Sequence, residues 1–386
     1  MQEVVIAGVG QTSVGEHWDL SLRELSFYAL EAAMNDAGGM RPQALYVGNM
    51  LAPALSHQAH LATLVADFAG LQGVEANTVE AAGATGGAAL RVGYLAVASG
   101  GVDAAMVVGV EKMSDQTVSN VNAALTTTTD SDYEGEQGLT PTAQAALLMR
   151  RYIYEFDVPE HAFAGFPLTA HANGATNKHA MFRRAIKLET YQKAGFVSEP
   201  LNLFDVAPNA DGAAAILLTR PDLLPDKFPH PLVRITGSSC VTDTLALHDR
   251  PDPLTFNAAR VSFERACAQA GKLPADADLF ELYDAYSIYG ALSLEAAGYA
   301  ERGNGWKWSV DGDLGLKGKL PISTFGGLKA RGNPGGAAGV YQAIEATLQL
   351  RGQAGDNQVE NASVAVIQAL GGPASTAVTH VLEGVR

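Results

Sequence analysis

Two glycine-rich segments have the composition of an anion-binding site. Residues 83–89 read GATGGAA and residues 332–338 read GNPGGAA, and each opens a segment of helical periodicity. The first turn of a helix leaves backbone N–H groups unpaired, and the helix dipole is positive at that end. If the two helix starts converge, their N–H groups could hold an oxyanion. The alternative is a pair of buried, glycine-packed helices with no chemical role.

The polar run ELYDAYS interrupts an otherwise apolar strand-to-helix turn. Tyr283, Asp284 and Tyr286 in this run could serve as a base and as a hydrogen-bond donor. Asn333, on the second glycine-rich turn, and the backbone N–H of Gly83 could complete a site that stabilises an oxyanion. Neither glycine-rich turn carries a nucleophile. The alternative is that the two tyrosines only fill space in the core.

One basic segment stands out in an acidic chain. The net charge is −15, from 26 lysines and arginines against 41 acidic residues, which argues against nucleic acid or an anionic membrane as the main partner. Between residues 171 and 193 the basic residues outnumber the acidic ones, and we predict a helix with Arg183, Arg184 and Lys187 on one face. Such a face could hold phosphate groups, and the alternative is an ordinary solvated helix surface.

The cysteine content and the apolar runs exclude several classes of protein. The only two cysteines, Cys240 and Cys267, are too few for a disulfide framework, and we predict that both are buried, inert thiols. No zinc-ligand spacing occurs, so no metal is expected. No apolar run reaches the roughly 18 residues of a membrane span, and the first residues lack the pattern of a cleaved signal. We therefore expect a cytoplasmic protein.

The chain contains the same arrangement of elements twice. The glycine-rich helix at residues 83–100 is followed by an apolar run at 104–109, and the helix at 332–352 by an apolar run at 363–372. Apolar runs without alternation predict strands that are covered on both faces. Helices that alternate with such strands predict an α/β protein with mixed sheets.

The repeat divides the chain into two unequal halves. We predict a first half at residues 1–230 and a second half at 231–386, each opening with a strand and an amphipathic helix. The first half is longer because of an insertion at about residues 112–230. An insertion of this length is typical of a lid or a binding subdomain.

Five motifs along the chain carry a family resemblance. They are VEAAGATGGAA at residues 79–89, DVAPNADGAAA at residues 205–215, ELYDAYS at residues 281–287, GGLKARGNPGGA at residues 326–337 and ALGG at residues 369–372. In this order and spacing they resemble the thiolase superfamily over essentially the whole chain. The resemblance is strongest to the archaeal and bacterial acetoacetyl-CoA thiolases related to the sterol-carrier-protein thiolases. It implies the thiolase fold, a five-layered αβαβα arrangement with two pseudo-symmetric halves and an inserted lid.

The four positions that carry chemistry in thiolases differ in this chain. Thiolases transfer an acyl group through a cysteine at the start of the first buried helix, and the matching position is Gly83. Asn333 stands in place of a histidine, and Ala369 in place of a second cysteine or an asparagine. Tyr283 opens a Tyr-Asp-Ala-Tyr run where thiolases usually have Asn-Glu-Ala-Phe or His-Asp-Ala-Phe. The resemblance therefore implies a degenerate member, in which we expect ordinary thiolase catalysis to be absent.

Two functions remain open at this point. The first is an enzyme that makes or breaks a C–C bond beside a CoA thioester, similar to the thiolase-like retro-aldolases that lack the cysteine and work with tyrosines. For such an enzyme we predict five catalytic positions, which are Gly83, Tyr283, Asp284, Tyr286 and Asn333. The second is a non-catalytic subunit that binds acyl-CoA or supports a thiolase complex. By similarity alone the chain would be labelled an acetyl-CoA acetyltransferase.

The resemblance also implies ligands and partners. In the family the lid clamps coenzyme A, and the run NGATNKHAMFRR at residues 173–184 resembles the lid segment. We therefore expect Lys178, Arg183 and Arg184 to bind CoA through its phosphates, and Gly372 to be a further CoA-binding residue. A CoA thioester is the expected substrate or ligand. We also expect a homodimer or homotetramer and a small OB-fold partner protein with a zinc ribbon, with no role for nucleic acid or membrane.

Overall fold

The computed structural model describes residues 2–310 and 312–385, and it contains strands and helices in alternation. The strands are β1 (Val5–Gln11), β2 (Ala44–Gly48), β3 (Glu75–Val79), β4 (Ala104–Glu111), β5 (Phe196–Ser198), β6 (Leu201–Asn202), β7 (Gly212–Thr219), β8 (Leu232–Thr242), β9 (Leu279–Glu281), β10 (Val364–Gly371) and β11 (Thr376–Val385). The helices are α1 (Leu22–Asp36), α2 (Ala52–Leu55), α3 (Leu61–Phe68), α4 (Thr85–Ala98), α5 (Val118–Thr126), α6 (Pro141–Phe156), α7 (Gly165–Gly174), α8 (Leu188–Gln192), α9 (Asn257–Ala270), α10 (Ser287–Ala296) and α11 (Ala338–Leu350).

The large sheet is built from two similar halves. Its strand order is β3-β2-β4-β7-β1-β8-β11-β10-β9. In the first half β7 runs antiparallel between β1 and β4, and in the second half β11 runs antiparallel between β8 and β10. The halves join at β1 and β8, where a single position, Val5 opposite Arg234, is paired. The duplication predicted from the sequence is therefore present in the strand order.

Alternate residues of the strands face different helical layers. In β4, Val107 packs with the cluster around α4 and α11, while Met106 and Val108 pack with the cluster around α1 and α3. In β10, Ile367 faces α4 and α11, whereas Val366 faces the cluster around α9 and α10. Helices thus cover both faces of each half-sheet, with α4 and α11 shared between them. This is the predicted five-layered αβαβα arrangement.

The two central helices touch through glycine. A Cβ atom at Gly86 would lie 2.8 Å from the backbone nitrogen of Val340, and one at Gly339 would overlap the backbone nitrogen of Gly87. The helix starts of the two repeats therefore lie against each other at backbone contact distance. The glycine content of both turns follows from this close approach.

The predicted insertion is shorter than residues 112–230. Residues between β4 and β7 form α5 to α8 and the small β5–β6 hairpin, but β7 is a central strand between β4 and β1. The chain leaves and re-enters the sheet at one place, where the Nζ atom of Lys112 lies 3.3 Å from a carboxylate oxygen of Asp211. The inserted segment, for which we keep the name lid, is accordingly confined to about residues 112–211.

Two local predictions are wrong. Arg183 and Arg184 lie in an irregular segment, since the backbone N–H groups of Met181 and Phe182 donate to carbonyl groups of residues 330–331 instead of closing a helical turn. Cys240 is exposed because it lies near the end of β8, whereas Cys267 on α9 is buried as predicted.

In the described residues no helix is long and apolar enough to cross a membrane, and no three metal-ligating side chains gather at one point.

Candidate active site

A cavity of about 450 Å³ lies at the starts of the two central helices. Its inner wall comes from the two halves of the fold and includes Gly83, Tyr283, Tyr286, Tyr289, Asn333 and Gly372. Its outer wall comes from the lid and includes Asn122, Leu125, Thr142 and Val197. The duplicated core and the lid therefore enclose one common space, which contains four of the five predicted catalytic residues.

Gly83 and Tyr283 share one small volume. A Cβ atom at Gly83 would collide with the hydroxyl oxygen of Tyr283, and it would lie 2.5 Å from the carbonyl oxygen of Leu370. Ordinary contact begins near 3.4 Å, so the site has no room for a side chain at residue 83. The phenol of Tyr283 occupies the space beside the start of α4 that a side chain at residue 83 would enter.

Tyr283 remains protonated at neutral pH. Its side chain is 6% exposed, and burial is the main cause that raises the pKa of its hydroxyl. The nearby Tyr286 raises this pKa further, while Asn333, acting as a hydrogen-bond donor, lowers it in part. A buried phenol in this state donates a hydrogen bond, so Tyr283 can stabilise negative charge on a ligand oxygen.

Tyr286 connects the lid to the second half of the fold. Its hydroxyl lies 3.1 Å from the hydroxyl of Thr142 on α6, and its ring packs edge-on against Tyr289 at a centroid distance of 4.9 Å. Burial raises the pKa of Tyr286 to about 12. The pair of hydroxyl groups can both accept and donate a proton, as a relay requires.

Asn333 is fixed by its backbone. Its N–H donates to the carbonyl of Pro208 at 2.9 Å, and its carbonyl accepts from the N–H of Ala210 at 3.1 Å. This bridge places Asn209 beside Asn333, and both residues line the cavity. The side-chain Oδ1 of Asn333 is buried and has no hydrogen-bond partner within the described residues.

Asp284 does not line the cavity, contrary to its predicted catalytic role. Its side chain lies against the turn at residues 323–328, where a Cβ atom at Gly327 would collide with the carboxylate. Its carboxylate accepts a 2.7 Å hydrogen bond from the N–H of Leu328 and a 3.1 Å bond from the hydroxyl of Ser323. Burial raises its pKa, and the ammonium of Lys329 opposes that rise. Asp284 therefore holds the segment that leads to Asn333.

The predicted phosphate ligands lie outside this cavity. Lys178 lines a separate cavity of about 490 Å³ together with Asp36 and Asp356. Arg183 and Arg184 are exposed and line a shallow hollow of their own on the surface. The structure thus places the two arginines together and Lys178 apart from them, while Gly372 lines the main cavity.

Several residues of the cavity were missed by sequence reasoning, among them Thr142, Tyr289 and Asn209. Thr142 and Tyr289 reach it through tertiary packing of α6 and α10, which no local pattern indicates. Asn209 lies inside the DVAPNADG motif, so its position in that motif was the available signal.

Among the described residues that line the cavity, none carries an ionised side chain at neutral pH. The protein groups in this lining that can exchange protons are therefore hydroxyl groups, among them those of Tyr283, Tyr286 and Thr142.

Comparisons with known proteins agree with this architecture. The family model described as "Thiolase, N-terminal domain" matches residues 4–222, and the one described as "Thiolase C-terminal domain-like" matches residues 239–384. The chain belongs to the thiolase family. An acetyl-CoA acetyltransferase of Methanothermobacter thermautotrophicus is 40% identical over 99% of both chains. The benzoylsuccinyl-CoA thiolase subunit BbsB of Thauera aromatica is 30% identical over 93% of this chain and 92% of its own.

Solved structures confirm the thiolase fold. A structure titled "Ltp2-ChsH2(DUF35) aldolase" superimposes with a TM-score of 0.84 at 24% identity, covering 100% of this chain and 98% of that one. Human mitochondrial 3-ketoacyl-CoA thiolase in complex with CoA superimposes with a TM-score of 0.75 at 17% identity, again over 100% and 98% of the two chains. At these identities the likeness establishes the shared fold.

Proposed function

We propose that this thiolase-family protein binds CoA thioesters in the cavity and cleaves or forms the adjacent C–C bond without a covalent acyl-enzyme. Full-length similarity to acetyl-CoA acetyltransferases supports a CoA thioester as the ligand. A human neighbour of the same fold is titled as a complex with CoA, and another neighbour is titled an aldolase. The choice between these chemistries depends on the groups in the cavity.

The observation that carries the proposal is the shared volume of Gly83 and Tyr283. By the motif resemblance, Gly83 stands where thiolases have their nucleophilic cysteine. A side chain there would collide with the Tyr283 hydroxyl, so the cavity offers a protonated phenol at the place of a thiolate. Asn333 and Ala369 likewise stand where the family has its histidine and its second cysteine. Such a site favours hydrogen-bond donation over acyl transfer.

The proposed reaction is a retro-aldol cleavage of a 3-hydroxyacyl-CoA. The bond between Cα and Cβ breaks, its electron pair moves to Cα to form the thioester enolate, and the Cβ hydroxyl becomes an aldehyde or ketone as it loses its proton. Cα then takes up one proton, so acetyl-CoA and a carbonyl compound form with no net proton change. Tyr283 donates to the thioester oxygen as negative charge develops, and the Tyr286–Thr142 hydroxyl pair relays the proton.

Further elements of the proposal concern the CoA moiety and assembly. Arg183 and Arg184 are proposed to bind CoA phosphates, because the hydrogen bond from Met181 N–H to the Arg331 carbonyl brings their segment beside the turn that leads to Asn333. Lys178, in its separate cavity, and Gly372, in the main one, remain proposed contacts. The two family models support a first half at 1–230 and a second at 231–386.

Self-association and a partner protein are also proposed. Strand β3 is an edge strand whose outer side is unpaired in the described chain, which supports a homodimer or homotetramer. The neighbour titled "Ltp2-ChsH2(DUF35) aldolase" names two components and so supports a partner protein, which by the family resemblance we propose to be a small OB-fold protein with a zinc ribbon. A cytoplasmic location completes the proposal.

The test uses the purified full chain with 3-hydroxybutanoyl-CoA in the absence of free CoA. Release of acetyl-CoA and acetaldehyde, followed by chromatography, is the expected result. Tyr283→Phe should lower the rate by about a hundredfold because an oxyanion donor is lost. Cleavage of acetoacetyl-CoA that requires added CoA, or an unchanged rate for Tyr283→Phe, would contradict the proposal.

A second candidate function is a non-catalytic, acyl-CoA-binding subunit. The absence of an ionised side chain among the described residues of the cavity favours it, since acid–base chemistry is then restricted to hydroxyl groups. Purification from the native host separates the two candidates. A stoichiometric active thiolase chain in the complex, together with no turnover by the isolated protein, would favour the subunit.

A further inference from the structure

We propose that Glu111 is a positioning residue of the cavity: its carboxylate is a built-in anion at the start of α11, and it holds Met50 and the turn that follows Asn333 in the cavity wall. The inference rests on the proposed function in one respect, because it takes a CoA thioester as the ligand of the cavity. Glu111 is fully buried and does not line the cavity. Its effect on a ligand therefore passes through the residues that it holds.

The carboxylate of Glu111 is surrounded by hydrogen-bond donors. Oε2 accepts from the backbone N–H groups of Met50 and Gly336, each at 3.1 Å. Oε1 accepts from the N–H of Leu51 at 3.1 Å and from the side-chain amide of Asn49 at 2.9 Å. All four partners donate, which suits an ionised carboxylate, since a protonated one would turn its own hydrogen toward a donor. Burial raises the pKa of Glu111 to about 7, and the four hydrogen bonds act in the opposite direction.

These hydrogen bonds join the two halves of the fold at the cavity wall. Residues 49–51 follow β2 in the first half, whereas Gly336 belongs to the turn that opens α11 in the second half. Met50 lines the cavity, and so does Asn333, which lies three residues before Gly336. A Cβ atom at Gly336 would lie 3.0 Å from the backbone nitrogen of Met50 and 3.1 Å from Oε2 of Glu111. The carboxylate thus fixes how the two parts of the wall meet.

The starts of the two central helices have the same backbone geometry. Each helix follows a three-residue 3-10 turn, Ala82–Ala84 before α4 and Gly335–Ala337 before α11. The first residue of each turn has a positive φ, 50° in one and 45° in the other. Gly336 is therefore the structural counterpart of Gly83, which lines the cavity. The two helix starts can be compared residue by residue.

The comparison shows that only one of the two starts receives a carboxylate from the strand beside it. Glu111 is the last residue of β4, whereas the last residue of β10 is Gly371, which has no side chain. Each lies at the matching turn, since a Cβ atom at Gly335 would be 3.1 Å from Cγ of Glu111 and one at Gly371 would be 3.5 Å from Cβ of Ala82. An anion stabilises a helix start because the first N–H groups are unpaired and the dipole is positive there. The start of α11 is thus satisfied from within the fold, while the start of α4 faces the cavity.

Chemical rescue of the purified full chain tests the proposal at pH 8, where the Glu111 carboxylate is ionised. Glu111→Ala leaves a gap beside four donors, so acetyl-CoA should bind about tenfold more weakly in calorimetry. Formate, a carboxylate small enough for the gap, should restore the affinity to within about threefold of the wild type. Formamide has nearly the same shape but no charge and should restore nothing. An unchanged affinity of Glu111→Ala, or equal rescue by formate and formamide, would overturn the proposal.

Further variants separate positioning from stability. Glu111→Asp keeps the charge and should bind acetyl-CoA about as well as the wild type, whereas Glu111→Gln turns an N–H group toward a donor and should bind as weakly as Glu111→Ala. Glu295→Ala is the control, because Glu295 also accepts hydrogen bonds, from the Tyr152 hydroxyl and the Gly305 N–H, but does not line the cavity. It should lower the melting temperature and leave the affinity unchanged. If Glu111→Ala does not fold, the Asp and Gln variants decide, and equal affinities for these two would overturn the role of Glu111.

Failure of this inference is distinguishable from failure of the proposed function. Glu111→Gln should also slow cleavage of 3-hydroxybutanoyl-CoA by about a hundredfold, because the reacting groups are displaced. Turnover by the wild type with Glu111→Gln equally active would overturn the role of Glu111 and leave the reaction in place. Formate-dependent binding of acetyl-CoA without any turnover by the wild type would refute the retro-aldol reaction and leave the role of Glu111 in place.

Discussion

Replacing Gly83 with alanine should destabilise the protein, although alanine is normally the more stable residue. The added methyl group would collide with the Tyr283 hydroxyl and lie 2.5 Å from the Leu370 carbonyl oxygen, 0.9 Å short of the 3.4 Å at which ordinary contact begins. The tyrosine ring can shift, but the carbonyl belongs to β10, where Leu370 is paired with Ala377 of β11. Overpacking of a buried site costs about 1–3 kcal/mol.

The expected change in melting temperature follows from the size of the chain. The entropy of unfolding near the midpoint is about 2.1 cal/mol/K per residue, which gives roughly 0.8 kcal/mol/K for this protein. The Gly83→Ala variant should therefore melt about 1–4 °C below the wild type. Gly15→Ala is the matched control, because a Cβ atom there has no neighbour within 4 Å. Thermal scans and urea titrations of both variants measure the difference.

A double-mutant cycle tests which neighbour is responsible. In a Tyr283→Ala background the ring contact is gone and the Leu370 contact remains, so Gly83→Ala should cost less there by about 1 kcal/mol. If Gly83→Ala melts at the same temperature as Gly15→Ala, residue 83 has room for a side chain. The reasoning that replaces a nucleophile by the Tyr283 phenol would then be refuted.

Tyr286→Phe and Thr142→Val should each slow cleavage of 3-hydroxybutanoyl-CoA by about ten- to a hundredfold, because either change interrupts the hydroxyl relay. Unchanged rates in the acetyl-CoA release assay would exclude the relay. Burial raises the pKa of Glu281 to about 8, so its carboxyl is protonated in the folded protein and ionised in the unfolded one between about pH 4 and 8. Stability should therefore fall as the pH rises through this window, and melting curves of Glu281→Gln should show a smaller fall than those of the wild type. Exchanging both Arg183 and Arg184 for glutamine should weaken binding of acetyl-CoA about tenfold at low salt, as measured by calorimetry. Binding of an acetyl-pantetheine ligand, which lacks the nucleotide phosphates, should stay unchanged. Equal losses for both ligands would show that the arginines do not bind the phosphates.

The parts of the fold that repeat were predictable from the sequence. The glycine-rich starts of α4 and α11 and the apolar strands after them recur at corresponding places, and a repeated pattern indicates a repeated structure. The gathering of Gly83, Tyr283, Tyr286 and Asn333 in one cavity agrees with the prediction from their motifs. Their roles in catalysis stay a prediction.

The errors arose where tertiary contacts decide the structure. Strand β7 falls within the insertion predicted at residues 112–230, yet it is a central strand of the sheet and has β11 as its counterpart in the second half. The segment of Arg183 has charges at helical spacing, but its backbone pairs with residues 330–331. Asp284 was grouped with Tyr283 because they are adjacent in sequence, whereas its carboxylate accepts from the Ser323 hydroxyl and the Leu328 N–H outside the cavity.

The backbone contact between α4 and α11 has a consequence for synthesis of the chain. A ribosome adds residues from the amino terminus, so α4 is complete long before Ala338–Leu350 emerges. Until then the glycine-lined face of α4, and the side of β1 that joins β8, have no partner to cover them. Stable tertiary structure in the first half must therefore wait for nearly the whole chain. We expect a fragment ending near residue 230 to be captured by chaperones or degraded, because the missing half supplies the inner layer of its core.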